Sequence, residues 1–112
     1  MSFQIDKTEK YTIVKLQSEK LDSTIAPVLK SEFLVLNTEG VKNIIVDLVD
    51  TRYCDSSGLS AILVGNRLCK GVEGTFIITG LQDAVKKLIS ISQLDTILTI
   101  TTTVSEAEQK IS

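Results

Sequence analysis

Two short apolar runs constrain this chain more than any other feature. Asn43-Ile-Ile-Val-Asp-Leu48 and Gly74-Thr-Phe-Ile-Ile-Thr-Gly80 are of strand length, and such runs lie centrally in a sheet, buried on both faces. Between them, from Ser56 to Lys70, the period becomes that of a helix closed by Gly71. Strand, helix and strand together make a right-handed crossover between parallel strands. The alternation continues outward. Phe3 to Asp6 and Tyr11 to Gln17 read as strands of an opening hairpin, joined by the polar turn Lys7 to Lys10. Ile25, Leu29, Phe33 and Leu36 recur at helical spacing, with Pro27 in the first turn and Ser23 or Thr24 placed to cap it. That helix ends at Asn37 to Gly40. Leu81 to Leu94 is a third helical segment, Thr96 to Thr101 a last strand, and Thr103 to Lys110 a short polar helix expected to fray. The expected class is α/β: a mostly parallel central sheet of about five strands with about four helices, in the order β-β-α-β-α-β-α-β-α. With 112 residues, the chain is expected to be one domain over 1–112.

Composition removes most chemistries. Twelve Lys+Arg against fourteen Asp+Glu give a net charge of −2, too little basic surface for a nucleic-acid partner. There is no His, which removes the commonest general base, the commonest metal ligand and every Ser-His or Cys-His nucleophile. Cys54 and Cys69 are not a CxxC pair and are too few for zinc. They read as buried, reduced thiols of an intracellular, cytoplasmic protein. The N-terminus lacks the basic and apolar regions of a signal peptide, and no apolar run approaches a membrane span. No metal, cofactor or membrane is expected.

The informative stretch is Asp47-Leu-Val-Asp-Thr-Arg-Tyr-Cys-Asp-Ser-Ser-Gly-Leu-Ser60. A buried strand ends at its start and a helix opens at Asp55-Ser56-Ser57-Gly58. Functional groups of open α/β sheets gather at such strand ends, and a helix N-terminus favours an anion. At about 100° per residue, Ala61, Ile62, Val64, Gly65, Leu68 and Cys69 form one apolar arc expected to face the sheet. Ser60, Asn66, Arg67 and Lys70 occupy the opposite arc. Leu59 and Leu63 fall in that polar arc, where burial does not explain them, and Ser56 projects onto it as well. Ser57 projects onto the core side.

Spacing alone makes Asp55 and Ser56 cap residues, worth about 1 kcal/mol. The functional alternative makes Ser56 an exposed hydroxyl beside two solvent-facing leucines. A phosphate there would add about −1.5 to −2 charge. The helix dipole tolerates that charge, whereas a partner packed on Leu59 and Leu63 does not. Catalysis by Ser56 is not expected, since there is no His to activate it. Lys42 and Arg52 lack the spacing of a Ser-Lys system, and Gly-x-Ser-x-Gly is missing. Gly71-Val-Glu-Gly74 is not a phosphate-binding loop.

At these residues the chain resembles the STAS domain family, found in sulfate transporter tails and bacterial anti-sigma factor antagonists. Leu21-Asp22 resembles the family's Leu-Asp after its second strand. Ile44-Ile-Val-Asp-Leu48 resembles its central strand, and Ala84-Val-Lys-Lys-Leu88 with Leu94 its third helix. Cys54-Asp55-Ser56-Ser57-Gly58-Leu59 resembles its apolar-Asp-Ser-Ser/Thr-Gly-Leu signature, the most specific element. Ser18-Glu19-Lys20 departs from a common Gly-Glu, and Cys54 stands where Met or Val is usual.

The resemblance implies an anti-sigma factor antagonist. Such a protein binds an anti-sigma factor serine kinase, is released when that kinase phosphorylates the serine after the Asp, here Ser56, and is restored by a PP2C-type phosphatase. The implied partner surface comprises Asp22, Ser23, Thr24, Asp55, Ser57, Gly58, Leu59, Ser60 and Leu63 around Ser56, on a monomer or weak dimer. STAS domains also serve as non-switching scaffold subunits, for example of lipid transporters, where Ser56 would be only a cap. Nucleotide binding ranks low, since Tyr53 is the one aromatic near the site.

Overall fold

The computed structural model describes residues 3–111; Met1, Ser2 and Ser112 of the expected domain lie outside them. Strands β1 (Phe3–Lys7) and β2 (Thr12–Leu16) form the opening hairpin, paired antiparallel with Phe3 opposite Leu16. The strands that follow it in the main sheet, β4 (Ile44–Asp47), β6 (Phe76–Thr79) and β7 (Thr99–Thr101), run parallel. The main sheet has the order β1-β2-β4-β6-β7, so its central strands are the two apolar runs. Helices α1 (Ala26–Thr38), α2 (Ser56–Gly71), α3 (Asp83–Ile91) and α4 (Val104–Lys110) complete the four, with a 3-10 turn at Leu94–Thr96. This is the expected α/β class.

The two faces of the sheet are filled unequally. Val14, Leu16, Ile44, Val46, Phe76 and Ile78 point into one large core shared with Leu29, Phe33 and Leu36 of α1, Ala61 and Ile62 of α2, and Val85 and Ile89 of α3. The alternate residues Ile45 and Ile77 meet Ala107 of α4 and Ile111 on the other face. Ile44 to Val46 is therefore apolar throughout because both faces of the strand are covered.

Two expectations are corrected here. The α1 start is not capped by Ser23 or Thr24: its N-cap is Ile25, with no side-chain cap. Asp22 organises the entrance instead. Its carbonyl accepts from the amides of Ile25 and Ala26, and its carboxylate accepts from the amide of Thr24. Both hydroxyl residues are left exposed. The terminal helix, expected to fray, is anchored. Thr103 Oγ1 accepts from the Glu106 amide, Glu106 accepts from the Thr102 amide, and the Tyr11 hydroxyl donates to Glu108. Ala107 and Ile111 then seal the minor core.

Candidate functional site

Two loops meet at the C-terminal ends of the sheet strands, held by a pairing too short to carry a period. Strand β3 (Lys20–Leu21) runs parallel to β5 (Tyr53–Cys54), with Leu21 opposite Cys54. The amides of Arg52 and Tyr53 donate to the Glu19 carbonyl at 2.8 and 3.0 Å, the Asp55 amide donates to Leu21, and Thr51 Oγ1 donates to Ser18. Leu21-Asp22 and Cys54-Asp55-Ser56 are thereby one rigid unit. Gly58 sets their closeness. A Cβ there would collide with the Leu21 carbonyl and lie 2.6 Å from Cys54 Sγ, so the first turn of α2 rests directly on β3 and β5.

Asp55 is the N-cap of α2, its Oδ1 accepting from the Gly58 amide at 3.0 Å. Ser56 is the first helical residue and is exposed. Among the described residues no hydrogen bond engages its hydroxyl. The two residues that spacing treated alike are thus separated: Asp55 does the capping, and Ser56 is free of it. We predict that Asp55→Ala costs about 1 kcal/mol, read as a lower midpoint in urea unfolding, whereas Ser56→Ala leaves the midpoint within a few tenths of that figure.

The wheel's assignment of Leu59 is overturned. Leu59 is 7% exposed and joins the main core, and Leu63 is half-buried and packed against that core. Asn66, placed on the polar arc, is also buried, and its Oδ1 has no hydrogen-bond partner among the described residues. Val64 and Leu68, placed centrally, are only half-buried. The buried arc is turned by about 60° from the expected one. A Cβ at Gly65 would come within 3 Å of Phe33 and Phe76, so α2 makes its closest approach along its Gly58-Ala61-Gly65 line, which lies within the expected arc. Burial extends beyond that line on the side of Leu59 and Asn66.

What adjoins Ser56 is a groove rather than a pair of leucines. Ser23, Ala26, Pro27 and Lys30 of the α1 side face Ser56, Ser57 and Ser60 of α2 across a cavity of about 480 Å3. Asp22 and Ser57 are half-buried, Gly58 is buried, and Ser23, Thr24 and Ser60 are exposed. Pro27 and Lys30 were missed by sequence reasoning. Their signal was the spacing of Ala26, Pro27 and Lys30 on one face of α1, which matters only once α1 is known to lie beside α2. Thr24 and Asp22 line a neighbouring hollow with Ser18, Glu19, Lys20 and Ile25.

Both cysteines are buried and unpaired. Burial, aided by the Asp55 charge, pushes the Cys54 thiol up to about 12. Burial pushes Cys69 up to about 11, against a small opposing effect of the Ile44 backbone. Both are neutral thiols at pH 7. An unfolded thiol ionises nearer 9. Their contribution to stability is therefore intact below pH 9 and is lost as pH rises toward 11 to 12. Unfolding midpoints at pH 7 and pH 10.5 should fall in that order, and native protein at pH 8 should resist thiol-specific reagents.

Among the described residues no cluster of His, Cys, Asp or Glu could hold a metal, and no helix is long and apolar enough to cross a membrane. The fold is shared with known proteins. A candidate anti-sigma factor antagonist from Thermotoga maritima superposes with a TM-score of 0.88 at 25% identity, over 97% of this chain and 93% of that one. The phosphorylated form of the Bacillus cell-fate determinant SpoIIAA matches with a TM-score of 0.75 at 23% identity, over 96% of this chain and 97% of that one. A sulfate transporter family protein from Wolinella succinogenes matches with a TM-score of 0.78 at 16% identity, over 89% and 83%. The family model for the STAS domain matches residues 2–107, which takes in the hairpin, the paired loops and the Asp55-Ser56 helix start. The chain belongs to the STAS domain family.

Proposed function

We propose that this protein is a cytoplasmic anti-sigma factor antagonist that docks an anti-sigma factor serine kinase and is released when Ser56 is phosphorylated. The observation that carries the reading is the division of labour at the start of α2. Asp55 holds the cap, so the exposed Ser56 hydroxyl can be esterified without taking anything from the fold. The helix N-terminus favours the added negative charge. The docking surface is the rim of the α1–α2 groove with the Asp22 loop: Asp22, Ser23, Thr24, Ser56, Ser57 and Ser60, with the edge of Leu63. Leu59 and Gly58 support this surface from beneath, and Asp55 fixes its register.

The likeness to SpoIIAA, solved in a phosphorylated form, supports the choice of a phosphorylation switch. Incubation with the cognate anti-sigma kinase and ATP should add one phosphoryl group to Ser56. The product should be absent in Ser56→Ala and should be cleared by a PP2C-type phosphatase. A phosphoryl group found on Ser57 or Ser60 in the wild type would overturn the assignment. The likeness to a sulfate transporter family protein favours a second reading, a constitutive scaffold subunit. There Ser56→Asp would leave assembly unchanged.

A further inference from the structure

We propose that Lys30 is the counter-ion of phosphorylated Ser56, so that modification closes the α1–α2 groove by an internal ion pair. This rests on the phosphoswitch reading and adds to it a residue outside the family signature. Among the described residues the groove has one cationic side chain in its lining, Lys30, and no carboxylate. Ser56 stands on the opposite wall, on the facing helix. Lys30 and Ser56 thus line the same groove of about 480 Å3.

Lys30 is also available. It is half-buried, as expected of a lysine whose stem covers apolar surface while its ammonium reaches solvent. Among the described residues the ion pairs are Lys7–Glu39 and Lys15–Asp50, and no carboxylate lies within salt-bridge distance of the Lys30 ammonium. A phosphate dianion would meet an unengaged cation in a partly enclosed space, where screening is weaker than on open surface. The remaining wall offers hydroxyls, from Ser23, Ser57 and Ser60, as further hydrogen-bond donors. Phosphorylation would then act twice on a docked kinase. It adds charge to the rim, and it fills the groove with the protein's own side chain.

The test uses full-length protein carrying phosphoserine at position 56, installed by genetic encoding so that no kinase is needed. Lysine acylation by a small amine-reactive ester is followed by mass spectrometry. Pairing lowers the free-amine fraction and shields the nitrogen, so acylation of Lys30 should slow at least about threefold relative to unmodified protein. Lys42 and Lys70 serve as internal references and should be unchanged. Phosphoserine encoded at the exposed Ser90 should leave Lys30 unprotected. Equal labelling of Lys30 with and without phosphate at Ser56 overturns the counter-ion, as does equal protection by phosphate at Ser90. Failure of the cognate kinase to modify Ser56 defeats the switch instead and leaves the labelling result standing, so the two failures are distinct.

Discussion

Phe33→Ala should destabilise the protein by about 3–5 kcal/mol, the largest effect of any single truncation near the site. Phe33 is fully buried, and its ring meets that of Phe76 edge-on at 5.7 Å and 83°. Gly65 of α2 lies against both rings. The two rings and the glycine are therefore the joint at which α1, α2 and β6 touch. Removing one ring loses the transfer free energy of the side chain and the aromatic pair, and it leaves a cavity that the sheet cannot collapse to fill. For a chain of this size the melting temperature should drop by about 15 °C. Phe33→Leu, which keeps most of the volume, should cost under about 2 kcal/mol. Denaturant unfolding of both variants checks the pair. A loss below about 1 kcal/mol for Phe33→Ala would mean that α1 does not pack on α2 through this joint, and the groove beside Ser56 would lose its foundation.

Reading the residues in order recovers the sheet well, because the relevant physics is local. Ile44-Ile-Val46 and Phe76-Ile-Ile78 are apolar without interruption since both faces of each strand are covered, and that pattern needs no knowledge of neighbours. The helix α4 was legible, but its anchoring was not. Its grip depends on Ala107 and Ile111 reaching Ile45 and Ile77 and on Tyr11 meeting Glu108, contacts between residues far apart in the chain. Strands β3 and β5 were not legible either, for a two-residue strand has no period to detect.

The site was read half correctly for a related reason. The exposure of Ser56 follows from its angle on the wheel and holds in the fold. The exposure assigned to Leu59 fails because the wheel of one helix does not show which flank its neighbours cover, and Leu59 joins the main core. Gly58 and Gly65 allow close contacts that a Cβ would block. Lys30 and Pro27 entered the site only through the pairing of two helices, which hydropathy does not encode.

Ser56→Asp should weaken binding to the cognate anti-sigma kinase at least about a hundredfold, about 2.7 kcal/mol, while the fold stays intact. The two halves of this expectation come from the same geometry. An aspartate at the first helical residue sits in the positive field of the α2 N-terminus, which stabilises a negative charge by about 0.3–1 kcal/mol. Asp55 keeps the cap, since its bond to the Gly58 amide does not involve residue 56. The melting temperature should therefore be unchanged or slightly raised. A docked partner, by contrast, would have to bury a carboxylate at the centre of the rim or leave it unpaired against its own surface, and like-charge or unpaired contacts of that kind cost several kcal/mol. Ser56→Ala supplies the necessary contrast. It removes the acceptor hydroxyl without adding charge, so it should bind the kinase as well as the wild type and stay bound when ATP is supplied. Titration calorimetry of the three proteins, with circular dichroism melts alongside, separates the outcomes. If Ser56→Asp binds like the wild type with its fold intact, charge at this position does not control docking, and the scaffold reading takes its place. If both variants lose binding equally, the hydroxyl itself is a contact, and release would follow from losing that contact rather than from repulsion.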